Sequence, residues 1–270
     1  MIIHAHAKVN LTLDVLYKRD DGYHELVSLM HTIALCDKLE AEKADDVRVE
    51  FDCTETIPQS NTVTRAVEAY RAAANCGGAH IFISKRIPSE AGLGGASADA
   101  AAALSAMQSL YGALSHDELL AAALSVGADV PFCLQGGAAI AKGIGEKLTP
   151  LKRLPLPLLV VRDTRGISTK ELFSRLQLPT EHPATEEAIQ AYISSDIVLL
   201  GRCMSNALEH EACKLVPRIS ELKERMLRCG ALGACMSGSG SALVGLFENA
   251  SMLSSAEKAF SDCDFIYSDV

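Results

Sequence analysis

The sequence predicts an α+β protein, and three observations support this. Segments that alternate apolar and polar residues, typical of half-buried strands, occur beside segments with the apolar spacing of helices. The predicted helices are grouped along the chain and do not alternate strictly with strands, which favours α+β. Hydrophobic residues make up 49% and charged residues 22% of the 270 residues, as in an ordinary globular protein. This length accommodates one large domain or two smaller ones.

The first half of the chain reads as strands followed by helices. Asp21-Gly22 is a turn signal between two extended segments, and Ser115 with Glu118 forms a capping box at a helix start. The predicted strands cover residues 8–17, 44–53 and 79–84. The predicted helices are one within residues 60–78, with a Ser or Asn start and a Gly-Gly stop, one from about Ser97 to Tyr111, and one from Ser115.

The second half begins with prolines, and "LPLPLLVV" (154–161) reads as a buried strand. Helices are predicted near residues 169–176, 184–207 and 216–229, and apolar strands near 233–236 and 241–247. The prolines suggest a boundary between two domains. We expect residues 1–153 to form an N-terminal domain and residues 154–270 a C-terminal domain.

Charge and cysteine usage limit the classes of partner. The net charge is −9, whereas a broad nucleic-acid surface needs clustered Lys and Arg. Nine cysteines occur without a Cys-x-x-Cys pair, which favours reduced thiols over a zinc site. The sequence contains no run of about 18 apolar residues, which is the length that could span a bilayer. We therefore expect a cytoplasmic protein with a small-molecule ligand and no nucleic-acid or membrane partner.

The glycine-rich turn in "IPSEAGLGGASADAAAAL" (87–104) is the first candidate site. Gly92, Gly94 and Gly95 remove side chains where a helix begins, so backbone N–H groups and the helix dipole are available to an anion. Ser97 could cap this helix, or offer its hydroxyl to a phosphate or a metal ion. The pattern is neither a Walker motif nor a G-x-G-x-x-G fingerprint. From these residues alone, a phosphate cradle and a structural turn remain equally open.

Three other features carry possible chemistry. Asp129 is the one acid in the apolar segment "GADVPF" (127–132), where Pro131 is expected to end regular structure. A buried carboxylate needs a partner, so Asp129 is paired, a cap or a functional group. Lys8 is either an edge lysine or a cation aimed at a reacting oxygen. The "SGSG" turn (237–240) is a loop or an anion-binding nest.

Together these segments resemble the GHMP kinase superfamily. Pro88-x-x-x-Gly92-Leu93-Gly94 is similar to its phosphate-loop motif, and "MSGSGSA" (236–242) to its C-terminal glycine motif. Within the superfamily, three further segments are most similar to the kinases that act on a cytidine-diphosphate-linked polyol. These segments are "AKVNLTLDVLYKRDDGYHEL" (7–26), "GADVPF" and "KGIGEKLTPL" (142–151).

The resemblance implies a two-domain GHMP kinase fold, with the active site in the cleft between an N-terminal ribosomal-protein-S5-like domain and a C-terminal ferredoxin-like domain. It also implies an ATP-dependent kinase with Mg²⁺. The acceptor would be the 2-hydroxyl of 4-diphosphocytidyl-2-C-methyl-D-erythritol, in the non-mevalonate route to isoprenoids.

The resemblance also implies roles for individual residues. Asp129 matches the catalytic aspartate that accepts the hydroxyl proton, and Lys8 the lysine that keeps it ionised. Tyr23 and His24 match residues that hold the cytosine, with Phe173 as a second aromatic in a sandwich with Tyr23, and Asn10 would contact the polyol. The ATP phosphates would lie on Gly92, Leu93, Gly94, Gly95, Ala96 and Ser97. The magnesium ligands are not identified beyond Ser97 as a first candidate.

The sequence departs from the family pattern at three positions. Ala96 replaces the third glycine of the loop, which is tolerable only at a negative φ. Glu90 stands where a glycine is usual and could reach solvent, pair with Lys85 or Arg86, or weaken ATP binding. Asp163 stands where a proline is usual. Three alternatives therefore stay open: a sibling kinase for mevalonate or homoserine, a nucleotide-binding module without turnover, and an unrelated α+β protein.

Overall fold

A computed structural model describes residues 1–52, 60–163, 166–176, 178 and 185–270. The chain divides into two compact units that alternate along the sequence. Unit 1 comprises Met1–Lys8, Ile33–Pro88 and Gly94–Gly136, and unit 2 comprises Val9–Thr32, Ser89–Leu93 and Gly137–Val270. The domain boundary between residues 153 and 154 stays a prediction.

The helices and strands follow in chain order. The strands are β1 (Ile2–Lys18), β2 (His24–Ala44), β3 (Arg48–Phe51), β4 (Gly78–Ser84), β5 (Ala138–Gly143), β6 (Lys147–Leu151), β7 (Leu158–Arg162), β8 (Ser205–Asn206), β9 (Gly233–Met236), β10 (Leu243–Leu246) and β11 (Phe265–Asp269). The helices are α1 (Thr62–Ala74), α2 (Gly95–Tyr111), α3 (His116–Val126), α4 (Val130–Gln135), α5 (Thr169–Arg175), α6 (Thr185–Ser194), α7 (Ile197–Cys203), α8 (Glu209–Leu215), α9 (Arg218–Arg228) and α10 (Ala250–Glu257), with a short 3₁₀ helix at Lys258–Phe260.

In unit 1, helices pack beside a sheet in the order β3-β4-β2. β4 pairs antiparallel with β2, with Lys38 opposite Ser84, and parallel with β3. The central helix α2 packs against α1, α3 and α4, and its small side chains allow this close approach. Its buried alanines are Ala98, Ala100, Ala101, Ala102, Ala103 and Ala106.

In unit 2, the strands form two sheets. One has the order β6-β5-β2-β1-β8, and the other has the order β11-β7-β10-β9. All pairings of the second sheet are antiparallel. Numbered by chain position, its order is 4-1-3-2, and helices connect the first to the second strand and the third to the fourth. This is the ferredoxin-like arrangement that the resemblance implied.

Several predicted elements differ from the structure. Helix α1 begins after Asn61, whose side chain accepts from Val63 and Thr64 N–H, but it ends at Asn75 in a left-handed conformation and not at the Gly-Gly pair. Within the predicted helix 184–207, residue 184 lies outside the described residues, and Ser195 (φ +60°) separates α6 from α7. Helix α8 is absent from the sequence-based prediction. The strand predicted at 44–53 corresponds to the end of β2 and to β3, and residue 53 is not described.

Two global expectations can be compared with the described residues. No helix that they form has both the length and the apolar character of a membrane span. The cysteines among them are free thiols, namely Cys36, Cys76, Cys133, Cys203, Cys213, Cys229, Cys235 and Cys263, and Cys53 lies outside the described ranges.

A buried histidine lies in unit 2. His31 is fully buried on β2, and its Nδ1 is 3.1 Å from the Tyr192 hydroxyl, which accepts from the Leu154 N–H. Its Nε2 has no hydrogen-bond partner among the described residues. Burial, helped by the nearby charge of Arg153, lowers the pKa of His31 to about 3. The folded protein therefore keeps this ring neutral.

We expect the buried, neutral His31 to make the free energy of unfolding decrease as the pH is lowered. An unfolded histidine titrates near pH 6.5, so below that pH the unfolded chain binds a proton that the folded chain excludes. This contribution is negligible above about pH 7.5 and lowers the free energy of unfolding by about 3 kcal/mol at pH 4.5, two units below the unfolded pKa. Chemical denaturation of the wild type and His31→Gln across this range measures the difference. Parallel pH dependence in the two proteins would contradict the assignment.

Candidate active site

Lys8 and Asp129, 121 positions apart in the sequence, meet in unit 1. Lys8 Nζ is 3.3 Å from Asp129 Oδ2, and the Lys8 side chain is only 5% exposed, against 35% for Asp129. The interpretation of Lys8 as a solvent-facing edge lysine is therefore wrong. A buried ammonium ion beside a partly exposed carboxylate leaves the carboxylate accessible to a ligand.

The local structure explains how Asp129 is presented. Asp129 precedes α4, and no side-chain capping hydrogen bond from it occurs within the described residues. Pro131 does not end regular structure as predicted, but lies in the first turn of α4, where its missing N–H has no cost. The carboxylate is thus not used as a helix cap.

The second half of the glycine-rich loop lies against Lys8. Gly94 precedes α2 with φ +70°, and a Cβ placed on it would be 2.9 Å from Lys8 Cγ. The first backbone hydrogen bond of α2 joins Ala98 N–H to Gly94 O. The N–H groups of Gly95, Ala96 and Ser97 therefore precede the helical ladder, as an anion site at a helix start requires.

Ala96 and Ser97, the two loop residues whose roles the sequence left open, both lie in α2. Ser97 is the third residue of the helix and Gly94 occupies the cap position, so the alternative in which Ser97 caps the helix is wrong. Its hydroxyl remains a candidate for a phosphate or metal ion. Ala96 has helical backbone and an exposed side chain, so the extra methyl group is accommodated at this position.

The first half of the loop lies in unit 2, against the C-terminal glycine turn. Ser237 Oγ donates to Gly92 O (2.9 Å) and accepts from Asn10 N–H (3.2 Å). A Cβ on Gly92, which has φ +74°, would be 1.9 Å from Ser237 O. Ala242 N–H donates to Ala91 O at 3.1 Å. The "SGSG" turn thus supports the loop backbone.

Two neighbours of Gly92 differ in exposure. Leu93 is 1% exposed, so only its backbone is available to a ligand. Glu90 adopts φ +51°, a left-handed conformation that explains why a glycine suits this position. Its side chain is exposed, and its Cβ would be 2.2 Å from a Cβ placed on Gly166.

A tight turn in unit 2 presents Tyr23 and His24. Tyr23 N–H donates to Asp21 Oδ1 at 3.0 Å, and Arg19 N–H donates to Tyr23 O at 2.8 Å. The Arg19 side chain pairs with Asp21 and Glu25. Gly22 supplies the positive φ (+85°) that the turn needs. Tyr23 is 60% exposed, so its ring is free to receive a flat ligand.

His24 contacts Phe173, the second aromatic residue that the resemblance implied. The rings of His24 and Phe173 are 5.0 Å apart and tilted by 32°. Partial burial, then the charge of Lys18, lowers the pKa of His24, which favours a neutral ring that can both donate and accept. The sandwich of Tyr23 with Phe173 stays a prediction.

Asn10 is buried and its amide donates to Ser28 Oγ at 2.8 Å. Its contact with a polyol also stays a prediction.

A charged cluster in unit 1 was missed from the sequence. Lys85 Nζ donates to Asp37 Oδ2 (2.5 Å) and Asp99 Oδ2 (2.6 Å). Burial opposes the charge of Lys85, but Asp99 and Asp37 outweigh it and raise the pKa of Lys85. Burial raises the pKa of Asp99, against the attraction of Lys85. The available signal was Asp99, a single acid in an alanine-rich helix. Asp129 was singled out by a similar signal, a single acid in an apolar segment.

Asn206 was also missed. Its amide donates to Met236 O (2.6 Å) and Gly238 O (2.8 Å), so Asn206 fixes the C-terminal glycine turn within unit 2. Asp163, which stands where the resemblance implied a proline, accepts from the Arg218 guanidinium at 2.9 and 2.6 Å, so its carboxylate has a structural partner. Asn206 has no distinctive pattern in the sequence, and the partner of Asp163 could not be read from it.

The described residues contain no group of three or more His, Cys, Asp or Glu side chains that could hold a metal ion. Magnesium ions bound with nucleotides commonly take most of their oxygen ligands from phosphates and water. Ser97 remains the candidate protein ligand.

Two family models match the chain: "GHMP kinases N terminal domain" over residues 61–137 and "GHMP kinases C terminal" over residues 185–263. A relative from Carboxydothermus hydrogenoformans, named 4-diphosphocytidyl-2-C-methyl-D-erythritol kinase, is 44% identical over 92% of this chain and 89% of its own length.

Two solved structures are similar. A 4-(cytidine 5'-diphospho)-2C-methyl-D-erythritol kinase superposes with a TM-score of 0.85 at 36% identity, covering 100% of this chain and 98% of its own. A homoserine kinase from Cytophaga hutchinsonii reaches 0.73 at 21% identity, covering 98% and 95%, which shows the fold alone. The chain therefore belongs to the GHMP kinase family, in the group whose members carry the name 4-diphosphocytidyl-2-C-methyl-D-erythritol kinase.

Proposed function

We propose that the chain transfers the γ-phosphoryl group of ATP to the 2-hydroxyl of 4-diphosphocytidyl-2-C-methyl-D-erythritol. The observation that carries this proposal is the ion pair of Lys8 and Asp129 at 3.3 Å, with the loop residue Gly94 packed on Lys8. The proton acceptor Asp129 thus lies next to the buried cation Lys8, and Lys8 lies next to Gly94 at the start of α2, the helix proposed to receive phosphate. The names of relatives such as the one from C. hydrogenoformans support the choice of acceptor.

In this mechanism Asp129 accepts the proton of the acceptor hydroxyl as that oxygen bonds to the γ-phosphorus of ATP. The bond from this phosphorus to the oxygen bridging the β-phosphate breaks, and ADP leaves. The Asp129 carboxylate is 35% exposed, so a hydroxyl can reach it. Lys8 is fixed by burial and stabilises the charge that develops at the reacting oxygen. Most of the acceleration in phosphoryl transfer comes from such positioning and electrostatics.

The loop would bind the ATP phosphates through its backbone. The N–H groups of Gly95, Ala96 and Ser97 start α2, where the helix dipole favours an anion. Gly92 and Leu93 would continue this lining. Magnesium, when bound with ATP, neutralises phosphate charge, and Ser97 is the residue proposed to help hold it.

The turn at residues 19–25 would hold the cytosine. Tyr23 offers an exposed aromatic face for stacking, and a neutral His24 can hydrogen-bond to the pyrimidine edge. Phe173 supports His24 and would flank the base, while Asn10 would contact the polyol. We place the reaction in the cytoplasm, where ATP is available and where free thiols such as those found here persist.

Tyr23→Ala tests the assignment of the base platform. Loss of one base–aromatic stack costs about 1–3 kcal/mol, so KM for the cytidylyl acceptor should rise roughly 10-fold or more, with KM for ATP changed less than about twofold. Steady-state kinetics with each substrate varied in turn measures both. Tyr17→Ala is the matched control, because Tyr17 is 53% exposed in the same unit. An equal rise in both KM values would refute the assignment.

A substrate panel tests the proposed acceptor. Coupled ADP release is measured with Mg-ATP and, in turn, the cytidylyl substrate, mevalonate and homoserine. We expect substrate-dependent ADP only with the first, because the turn with Tyr23 and His24 suits a base. Turnover of mevalonate or homoserine would identify a sibling kinase. Nucleotide binding without ADP release from any acceptor would identify a module without turnover.

A further inference from the structure

The Asp37–Lys85–Asp99 cluster links the chain on both sides of the glycine-rich loop. Lys85 directly follows β4 and lies just ahead of the loop, whereas Asp99 lies in the second turn of α2, just behind it. One ammonium group bonds both carboxylates, at 2.5 and 2.6 Å. The side chains are 16%, 0% and 4% exposed for Lys85, Asp37 and Asp99. The link is therefore nearly free of solvent.

Asp37 extends this link to the backbone. Its Oδ1 accepts the N–H groups of Arg86 and Ile87, at 2.5 and 2.8 Å. A Cβ on Gly95 would be 3.0 Å from Ile87 Cγ2 and 3.7 Å from Lys85 Nζ. The first residue of α2 thus rests directly on the segment that Asp37 holds.

Stability alone gives a weak reason for this cluster. Charges removed from water seldom add net stability compared with apolar residues of the same volume. Asp99 Oδ1 is buried without a hydrogen-bond partner among the described residues, which is a further cost. A carboxylate that is imperfectly satisfied, at the start of the phosphate-binding helix, indicates a purpose other than stability.

We propose that Asp37, Lys85 and Asp99 are positioning residues that hold Gly95, Ala96 and Ser97 in the conformation that binds the ATP phosphates. They act through the backbone and do not touch the nucleotide. The inference rests on the proposed function, because it takes this loop to be the ATP site. It adds the interaction that fixes the start of α2 relative to residues 85–87.

Asp99→Ala is the variant that tests this role. Alanine suits this helix, and its neighbours Ala98 and Ala100 are already buried, so folding should be retained. Lys85 keeps Asp37 as its partner. Calorimetric titration with Mg²⁺ and the non-hydrolysable analogue AMP-PNP should show Kd raised roughly 10-fold or more, because preorganisation is lost. Kd for the cytidylyl substrate, titrated separately, should stay within about twofold of wild type.

Two further variants make the result specific. Asp99→Asn keeps an acceptor for Lys85 and should restore the nucleotide Kd to within about threefold of wild type. Ser105→Ala, in the same helix, removes only a bond to Ala101 O and should leave both Kd values unchanged.

The inference is overturned if folded Asp99→Ala binds AMP-PNP as wild type does, or if its Kd values for both ligands rise equally. It is also overturned if the wild type does not bind the analogue. A wild type that binds it normally but releases no ADP contradicts the proposed function alone, and the effect of Asp99→Ala on Kd still decides the inference.

Discussion

Replacing Asp129 by asparagine is expected to lower kcat roughly 10³-fold, within the range that general base catalysis contributes. Asparagine has nearly the same shape and can still accept a hydrogen bond from Lys8, which is 3.3 Å from the present carboxylate. It cannot take a proton at neutral pH. Because ground-state binding is little altered, both KM values should stay within about threefold of wild type. Coupled ADP release under saturating substrates measures the loss.

The control for this variant is Asp117→Asn. Asp117 is an exposed acid in the first turn of α3, also in unit 1, and it should tolerate the same chemical change with kcat unchanged. Thermal unfolding of both variants checks that the fold is retained. A kcat for Asp129→Asn within about threefold of wild type would remove Asp129 from the chemistry.

Gly94→Ala is expected to lower kcat/KM for ATP about 100-fold. Gly94 has φ +70°, where a side chain costs about 1–2 kcal/mol. Its Cβ would be 2.9 Å from Lys8 Cγ and 3.1 Å from Cε, so Lys8 must shift away from its present place beside Asp129. A displacement of about 1 Å at a reacting group is enough for a loss of this size.

Gly112→Ala separates this effect from backbone strain. Gly112 follows the other end of α2 at φ +61°, and the nearest atom to an added Cβ is Gln108 O at 4.0 Å. Gly112→Ala should therefore lose only the stability that backbone strain costs, and Gly94→Ala should lose more because Lys8 must also move, but only Gly94→Ala should lose activity. Equal kcat/KM values for the two would show that the contact with Lys8 has no role.

The sequence pattern predicted the elements that depend on local chemistry. The capping box of Ser115 and Glu118 is present, and α2 ends at Tyr111 as expected. A capping box is encoded within a few residues, so it can be read directly, whereas the Gly-Gly stop predicted for α1 was wrong because Asn75 ends that helix. The break between α6 and α7 at Ser195 could not be predicted, because a serine at positive φ carries no sequence signal and is held by its surroundings.

Residues that act through distant partners were predicted less well. Lys8 was indistinguishable from an edge lysine until the fold buried it against Asp129, and only the family resemblance pointed to the pair. The cluster around Lys85 joins residues 48 and 14 positions away from it, and no spacing rule connects them. The conformation of Glu90 likewise follows from the loop path and not from its neighbours in sequence.

The most direct test of the central claim is the ³¹P NMR spectrum of the product formed from Mg-ATP and 4-diphosphocytidyl-2-C-methyl-D-erythritol. The carbon that bears the 2-hydroxyl carries a methyl group and no hydrogen. We therefore predict a new phosphomonoester resonance without three-bond phosphorus–proton splitting, appearing together with an equal amount of ADP. A proton-split phosphomonoester, inorganic phosphate in place of a monoester, or unchanged ATP would contradict it.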